Sequence, residues 1–224
     1  MTFTIKNTND LNFLSEEDIS ILEEFNIKKN GTSAEIKTTL LPEPFIGNPL
    51  KAKVLLLALN PGFEGSEKKW HADEKFARLI KDNIEFKESG YPYYYLNEHK
   101  DFDGNPGHIW CKRIFKELIA EIGAKDLSKK IACVQYHGYH SKKYSPIGKT
   151  LPSQEQTFEL VKATMKLEIP IVLMRSKKIW FAAITGLETY EHLIILNNPR
   201  NPTISRGNMQ AGSFDNLLET LKKN

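Results

Sequence analysis

Lys53-Val54-Leu55-Leu56-Leu57-Ala58-Leu59, followed at once by Asn60-Pro61-Gly62-Phe63, is the stretch on which the reading of the fold turns. From Val54 to Leu59 every residue is apolar. A strand with one face in water alternates polar and apolar residues, so an unbroken run of this length predicts a strand covered on both faces, as inside a parallel sheet. Asn60-Pro61-Gly62 then ends it: proline fixes φ and lacks an N–H, and glycine allows a turn and a close backbone approach.

Downstream, strands are expected from Lys130 to Tyr136, Ile171 to Met174 and His192 to Leu196, separated by helical patterns. Ile109, Phe115, Leu118, Ile119 and Ile122 recur with helical spacing over 108–122, and Gly123 supplies the stop. Ser153 with Gln156 reads as a capping box for a helix carrying Phe158, Val161, Met165 and Leu167, which Pro170 ends. Arg175 to Thr185 fits a short helix, and Gly212 to Lys223 a final one. Strands alternating with helices predict an α/β fold: a three-layer α/β/α sandwich around a central, mostly parallel four-stranded sheet, in one domain over 1–224.

Upstream, residues 1–48 read as an N-terminal helix and lead-in, with Ser15 and Asp18 capping a stripe of Ile19, Leu22 and Phe25 and a proline loop (Pro42, Pro44, Pro49) after it. Residues 62–106 are rich in charge, aromatics and turn formers, with a helix around Asp73 to Lys81, and read as an excursion from the core. The cluster Tyr91 to Tyr95 within it suits either a stacking platform or a packed lid whose hydroxyls reach water.

Composition bounds the function. Apolar content of 40% is enough for a sizeable core, and a net charge of +3 is too mild for a general polyanion binder, so any nucleic-acid contact must be a local patch. Two cysteines, Cys111 and Cys133, cannot make a four-thiolate metal site and sit where buried thiols are expected. No secretory signal or membrane-length apolar run is found, which predicts a cytoplasmic chain with no membrane partner. No Gly-x-Ser-x-Gly elbow, His-Glu-x-x-His pair or phosphate-binding glycine loop is present, so no cofactor or metal is expected.

Ligands of doubly wound sheets sit at the carboxyl ends of the strands, so the loops after Leu59, Tyr136, Met174 and Leu196 should converge. Asn60 leaves the first strand there, and the last strand ends in Ile194-Ile195-Leu196-Asn197-Asn198-Pro199-Arg200-Asn201-Pro202, a second polar, proline-stiffened loop. Alone, Asn-Pro-Gly is also a common structural turn. Phe63, Trp70 and Phe76 can stack on a base or pack a core. Ser141-Lys142-Lys143-Tyr144-Ser145-Pro146 offers phosphate contacts through Lys142, Lys143 and Ser145, or an ordinary solvated surface.

VLLLALNPGF paired with LNNPRNP resembles the two signature motifs of the uracil-DNA glycosylase superfamily, most closely its mismatch-specific branch. The resemblance runs from Lys53 to the C-terminus and rests on the order and spacing of short motifs. It implies excision of a base from DNA by metal-independent hydrolysis of the N-glycosidic bond, with the chain a monomer. Asn60 would position the attacking water, although an amide has no useful basicity. Asn198 would bind the departing base, and the segment from Arg200 to Ile204, including Pro202 and with Arg206 nearby, would lie against the duplex. Gly62 would stand where many members carry a bulky aromatic that excludes thymine. Gln135 would read the Watson–Crick edge, with His137 and His140 after it. Two rivals stand beside this: a nucleobase- or nucleic-acid-binding member without catalysis, and a hydrolase of free nucleosides or nucleotides.

Overall fold

A computed structural model describes residues 5–7 and 13–223. The expected α/β architecture is present, built on a five-stranded sheet. Its strands are β3 (Phe45–Ile46), β4 (Val54–Leu57), β5 (Ile131–Val134), β6 (Ile171–Leu173) and β7 (Leu193–Ile195), after a separate antiparallel hairpin of β1 (Ile5–Asn7) and β2 (Phe13–Ser15). Strand order is β3-β5-β4-β6-β7, with β3 antiparallel to β5 and every other pairing parallel. The expected four strands are the parallel ones. β3 is an addition, two residues long and lying inside the proline-rich lead-in, too short for any period to reveal.

The central strand explains its own sequence. Val54 and Leu56 face one apolar layer, Leu55 and Leu57 the other, and all four are no more than 1% exposed. Burying each such side chain contributes about 1.5–3 kcal/mol. The first layer is formed by α3 (Glu74–Ile84), α4 (Pro106–Ile114), α5 (Lys116–Ile122), α6 (Ala124–Lys130) and α9 (Ser213–Lys222), with α2 (Glu67–Ala72) beside α3. The second is formed by α7 (Pro152–Lys166) and α8 (Lys177–Ala183), whose Trp180 is fully buried and donates from Nε1 to Ala58 O at 3.0 Å. Among the described residues no helix is long and apolar enough to cross a membrane.

Three local expectations are corrected. The pattern over 108–122 is two helices broken at Phe115, whose φ of −99° and ψ of 12° let its ring bury edge-on against Tyr93 at 5.7 Å. Ser153 does not cap α7. Leu151 holds that position, and the Oε1 of Gln154, not of Gln156, accepts from the Leu151 N–H at 2.8 Å. Nor do Ser15 and Asp18 cap α1 (Ile19–Lys29), because neither makes a side-chain capping bond.

Asp18 is wholly buried and serves a distant purpose. It accepts from Tyr139 Oη, Ser153 Oγ and the Ser153 N–H, joining the start of α1 to residues far along the chain. Asp18→Asn keeps the volume but gives up the charge and turns an acceptor into a donor facing donors. Hydrogen bonds to charged groups are worth about 1.5–3 kcal/mol each, so the variant should lose at least about 2 kcal/mol in urea unfolding. An unchanged midpoint would show that the carboxylate is dispensable.

Candidate functional site

In a doubly wound sheet the crevice opens where successive connections leave a strand in opposite directions. Here that strand is β4, flanked by β5 and β6, so Asn60 emerges at the switch point. The loops are stitched by backbone bonds: the His137 N–H donates to Leu59 O at 3.1 Å and the Ser141 N–H to Pro61 O at 3.3 Å. Close packing tightens this region, since a Cβ on Gly138 would lie 2.7 Å from Pro44 N.

The Asn60 amide is held in one orientation. Its Nδ2 donates to Pro61 O at 2.9 Å and to Ser141 Oγ at 3.0 Å, and Ser141 Oγ donates onward to Lys143 O at 3.2 Å. Asn60 Oδ1 accepts from no described residue, which leaves an oriented acceptor on a half-buried side chain. Beside it Gly62 is exposed, and a Cβ there would meet nothing within 4 Å. Phe63 is half-buried with the Lys37 ammonium 5.5 Å from its ring centre.

Several expected site residues lie elsewhere. Phe76 is 4% exposed and enclosed by Trp70, His71, Tyr94, Tyr95 and Phe102, so no ring face is open to a base. Trp70 is half-buried edge-on to Phe76, its Nε1 buried without a partner. His137 is buried, stacks on Tyr144 at 5.6 Å, and accepts at Nδ1 from the Tyr139 N–H. Burial, with the charge of His140 second, pushes its pKa down to about 4. Gln135 is 7% exposed and its Oε1 is buried without a partner. Tyr94 and Tyr95 are not a lid in contact with water, because both hydroxyls donate to Glu43 Oε1, at 2.9 and 2.6 Å.

The second loop has its own scaffold. Asn198 is exposed and its Oδ1 accepts from the N–H groups of Arg200 and Asn201 at 3.1 and 3.3 Å. Buried Asn208 holds the loop, accepting from the Asn198 N–H at 2.6 Å and donating to Asn201 O and Thr203 O, each at 3.0 Å. Nothing in the Arg206-Gly207-Asn208 triplet signals that role. Pro202 is buried and Arg200 exposed. Lys142 and Lys143 are exposed and Ser145 half-buried, on the loop that carries Ser141. Arg206 is already neutralised: Asp215, Glu121 and Glu117 lie 2.9, 3.6 and 3.9 Å from its guanidinium, which also covers the Phe214 ring. Among the described residues no hydrogen bond joins Asn198 to Asn60; β6 lies between their strands.

Beneath Gly62 lies a buried cluster that sequence reading missed, because Glu43, His71 and His140 come from three separate segments. One ligating atom of each lies within 4.8 Å of the others. The protons decide whether an ion fits. Gly62 O can only accept, so His140 Nδ1, 2.8 Å away, carries a proton, and its unpartnered Nε2 faces Glu43 Oε2 at 3.8 Å. Those two ligands are well supported from behind. His71 is not: its Nδ1 accepts from the Leu41 N–H at 3.1 Å, which puts the ring's proton on Nε2 and leaves neither nitrogen a free lone pair. The donor set therefore does not fit a divalent cation. Burial, then the charge of His140, pushes the His71 pKa down to about 2.

A cavity of about 740 Å³ between α7 and α8 is lined by Tyr136, Pro152, Phe158 and Ala183, with Glu17, Glu155 and Glu159 against one lysine, Lys162, among its walls. Three carboxylates make it a poor receptacle for a polyanion. No family model, curated protein or solved structure matches the chain.

Proposed function

We propose that the chain excises a base from DNA by hydrolysing its N-glycosidic bond, in the manner of the uracil-DNA glycosylases that its motifs resemble, as a cytoplasmic monomer without metal. The observation that carries this reading is the Asn60 amide at the switch point, with both donor hydrogens committed and its oxygen free. Such an oxygen accepts a hydrogen from a water and fixes where its lone pair points. It does not take a proton, so the bond to the base must be largely broken before the water adds. Gln135, with its unpartnered Oε1, supplies an acceptor for the base edge. The open space at Gly62 admits a base with a 5-methyl group.

The reading without catalysis has one observation in its favour. Asn198 Oδ1 is spent on its own turn, so it offers a departing base only its Nδ2. Duplex oligonucleotides carrying uracil, mismatched thymine or hypoxanthine, incubated with the protein and then cleaved with alkali, separate the two. Strand breaks at the altered position are expected for at least one base. Saturable binding with no breaks would overturn hydrolysis and leave the binding protein.

A further inference from the structure

Arg175 stands two residues beyond the end of β6, in the strand order between the two loops already described. Backbone bonds fix that placement. The Met174 N–H donates to Leu57 O of β4 at 3.0 Å, and Leu173 O accepts from the Leu196 N–H, just past β7, at 3.4 Å. Asn60 follows Leu57 by three residues and Asn198 follows Leu196 by two, so Arg175 leaves the sheet between them.

Its electrostatic situation is unusual for this molecule. Arg175 is half-buried and its Nε is fully covered without a hydrogen-bond partner. Among the described residues it has no carboxylate within ion-pairing distance, whereas Arg206 nearby in sequence to the second loop has three. Burial and, after it, the charge of Arg113 lower the Arg175 pKa; Arg113 is exposed at the end of α4 and, among the described residues, likewise without an ion pair. The end of α4 is tied to the second loop, because Ile114 O accepts from the Ile204 N–H at 2.8 Å. A half-buried guanidinium that also feels a like charge is costly to hold, and an anion bound at its uncovered Nη groups offsets both costs.

We propose that Arg175, assisted by Arg113, is a phosphate-binding site at the carboxyl edge of the sheet, placed to grip a phosphate between the Asn60 loop and the Asn197–Pro202 loop. The guanidinium fork matches the oxygens of a phosphate in a way a lysine does not. Identifying that phosphate as part of DNA rests on the function proposed above; the site itself does not. It supplies position and affinity without base selectivity.

The test measures binding by fluorescence anisotropy and calorimetry for wild type, Arg175→Gln, Arg175→Lys and Arg113→Gln. The probes are a labelled duplex without any altered base, a nucleoside 5′-monophosphate and the matching nucleoside. Arg175→Gln should weaken duplex binding about tenfold and reduce the slope of log affinity against log salt by about one, with Arg113→Gln weaker in the same direction. Arg175→Lys should recover only part of the loss. Thermal unfolding should find Arg175→Gln as stable as wild type, since it removes an unpaired charge. If it does not fold, exposed Arg113→Gln carries the measurement. Arginine-dependent binding of the monophosphate but not the duplex would uphold the phosphate site and assign it to free nucleotides. Equal affinities of wild type, Arg175→Gln and Arg113→Gln for both phosphate probes would overturn the proposal. Loss of duplex binding in Arg175→Gln while no base is ever excised would uphold this site and sink the hydrolysis.

Discussion

Asn60→Ala should lower the rate of base excision at least about a hundredfold while leaving affinity for DNA close to that of wild type, because misplacing a reacting group by an ångström can cost that much. Binding survives because, in the proposed mechanism, the amide holds the water and does not touch the backbone of the substrate. Folding should suffer little: Ser141 Oγ loses one donor, worth about 1 kcal/mol, and keeps its own bond to Lys143 O. Asn60→Asp is the more informative partner. A carboxylate cannot donate to Pro61 O, so it should turn toward Ser141, whose hydroxyl can donate to it. It also brings the basicity that the amide lacks. The expected result is a rate above that of Asn60→Ala with a new fall at low pH, as the carboxylate takes up a proton. Single-turnover rates on the best oligonucleotide decide the matter. Equal rates for wild type and Asn60→Ala would remove Asn60 from the chemistry.

Acid should unfold the protein well before its carboxylates are fully protonated. His71 and His137 are buried and neutral, with pKa values held down to about 2 and about 4 against an ordinary 6.5. The unfolded chain therefore binds protons that the folded chain refuses, so stability rises with pH wherever the two differ. The contribution is complete above about pH 6.5 and is lost as pH falls below it. His137 stops contributing to the slope near pH 4, whereas His71 continues toward pH 2. Each histidine should remove about 2 kcal/mol between pH 7 and pH 5, roughly 4 kcal/mol together, a large part of the stability of an ordinary domain. Urea titrations at pH 7, 6 and 5 measure it directly. His137→Gln should flatten the dependence by about half. A stability independent of pH over this range would mean that the two rings take up protons in the folded state as they do in the unfolded chain.

The central strand was legible because an unbroken apolar run bounded by Asn60-Pro61-Gly62 has few other homes, and the parallel strands after it follow from the same alternation with helices. β3 was not, since Phe45-Ile46 is too short for any period to show and lies among prolines. Asp18 illustrates a different limit. Its position before an apolar stripe is that of a helix cap, and only tertiary structure brings Tyr139 and Ser153 close enough to outbid the local bond. The site divides in the same way. Asn60 and Gln135 are visible because they follow strand ends, where the crevice of a doubly wound sheet is expected. Glu43, His71 and His140 come from a lead-in, a helix and a loop, and no spacing links them. Arg175 reads as the start of a helix; its importance lies in what it lacks, and a missing partner is a property of space. Arg206 is the converse, a cation in the expected place whose charge Asp215, Glu117 and Glu121 absorb.

The carboxylate of Asp18 also imposes an order in time. Its partners lie 121 and 135 residues further along the chain, so the start of α1 gains them only after Ser153 has left the ribosome. Its apolar residues Leu22 and Phe25 meet Tyr139 and Leu151 in a small cluster distinct from the two layers of the sheet. The amides of α1 should consequently exchange with solvent faster than those of β4, marking a unit that closes last and opens first.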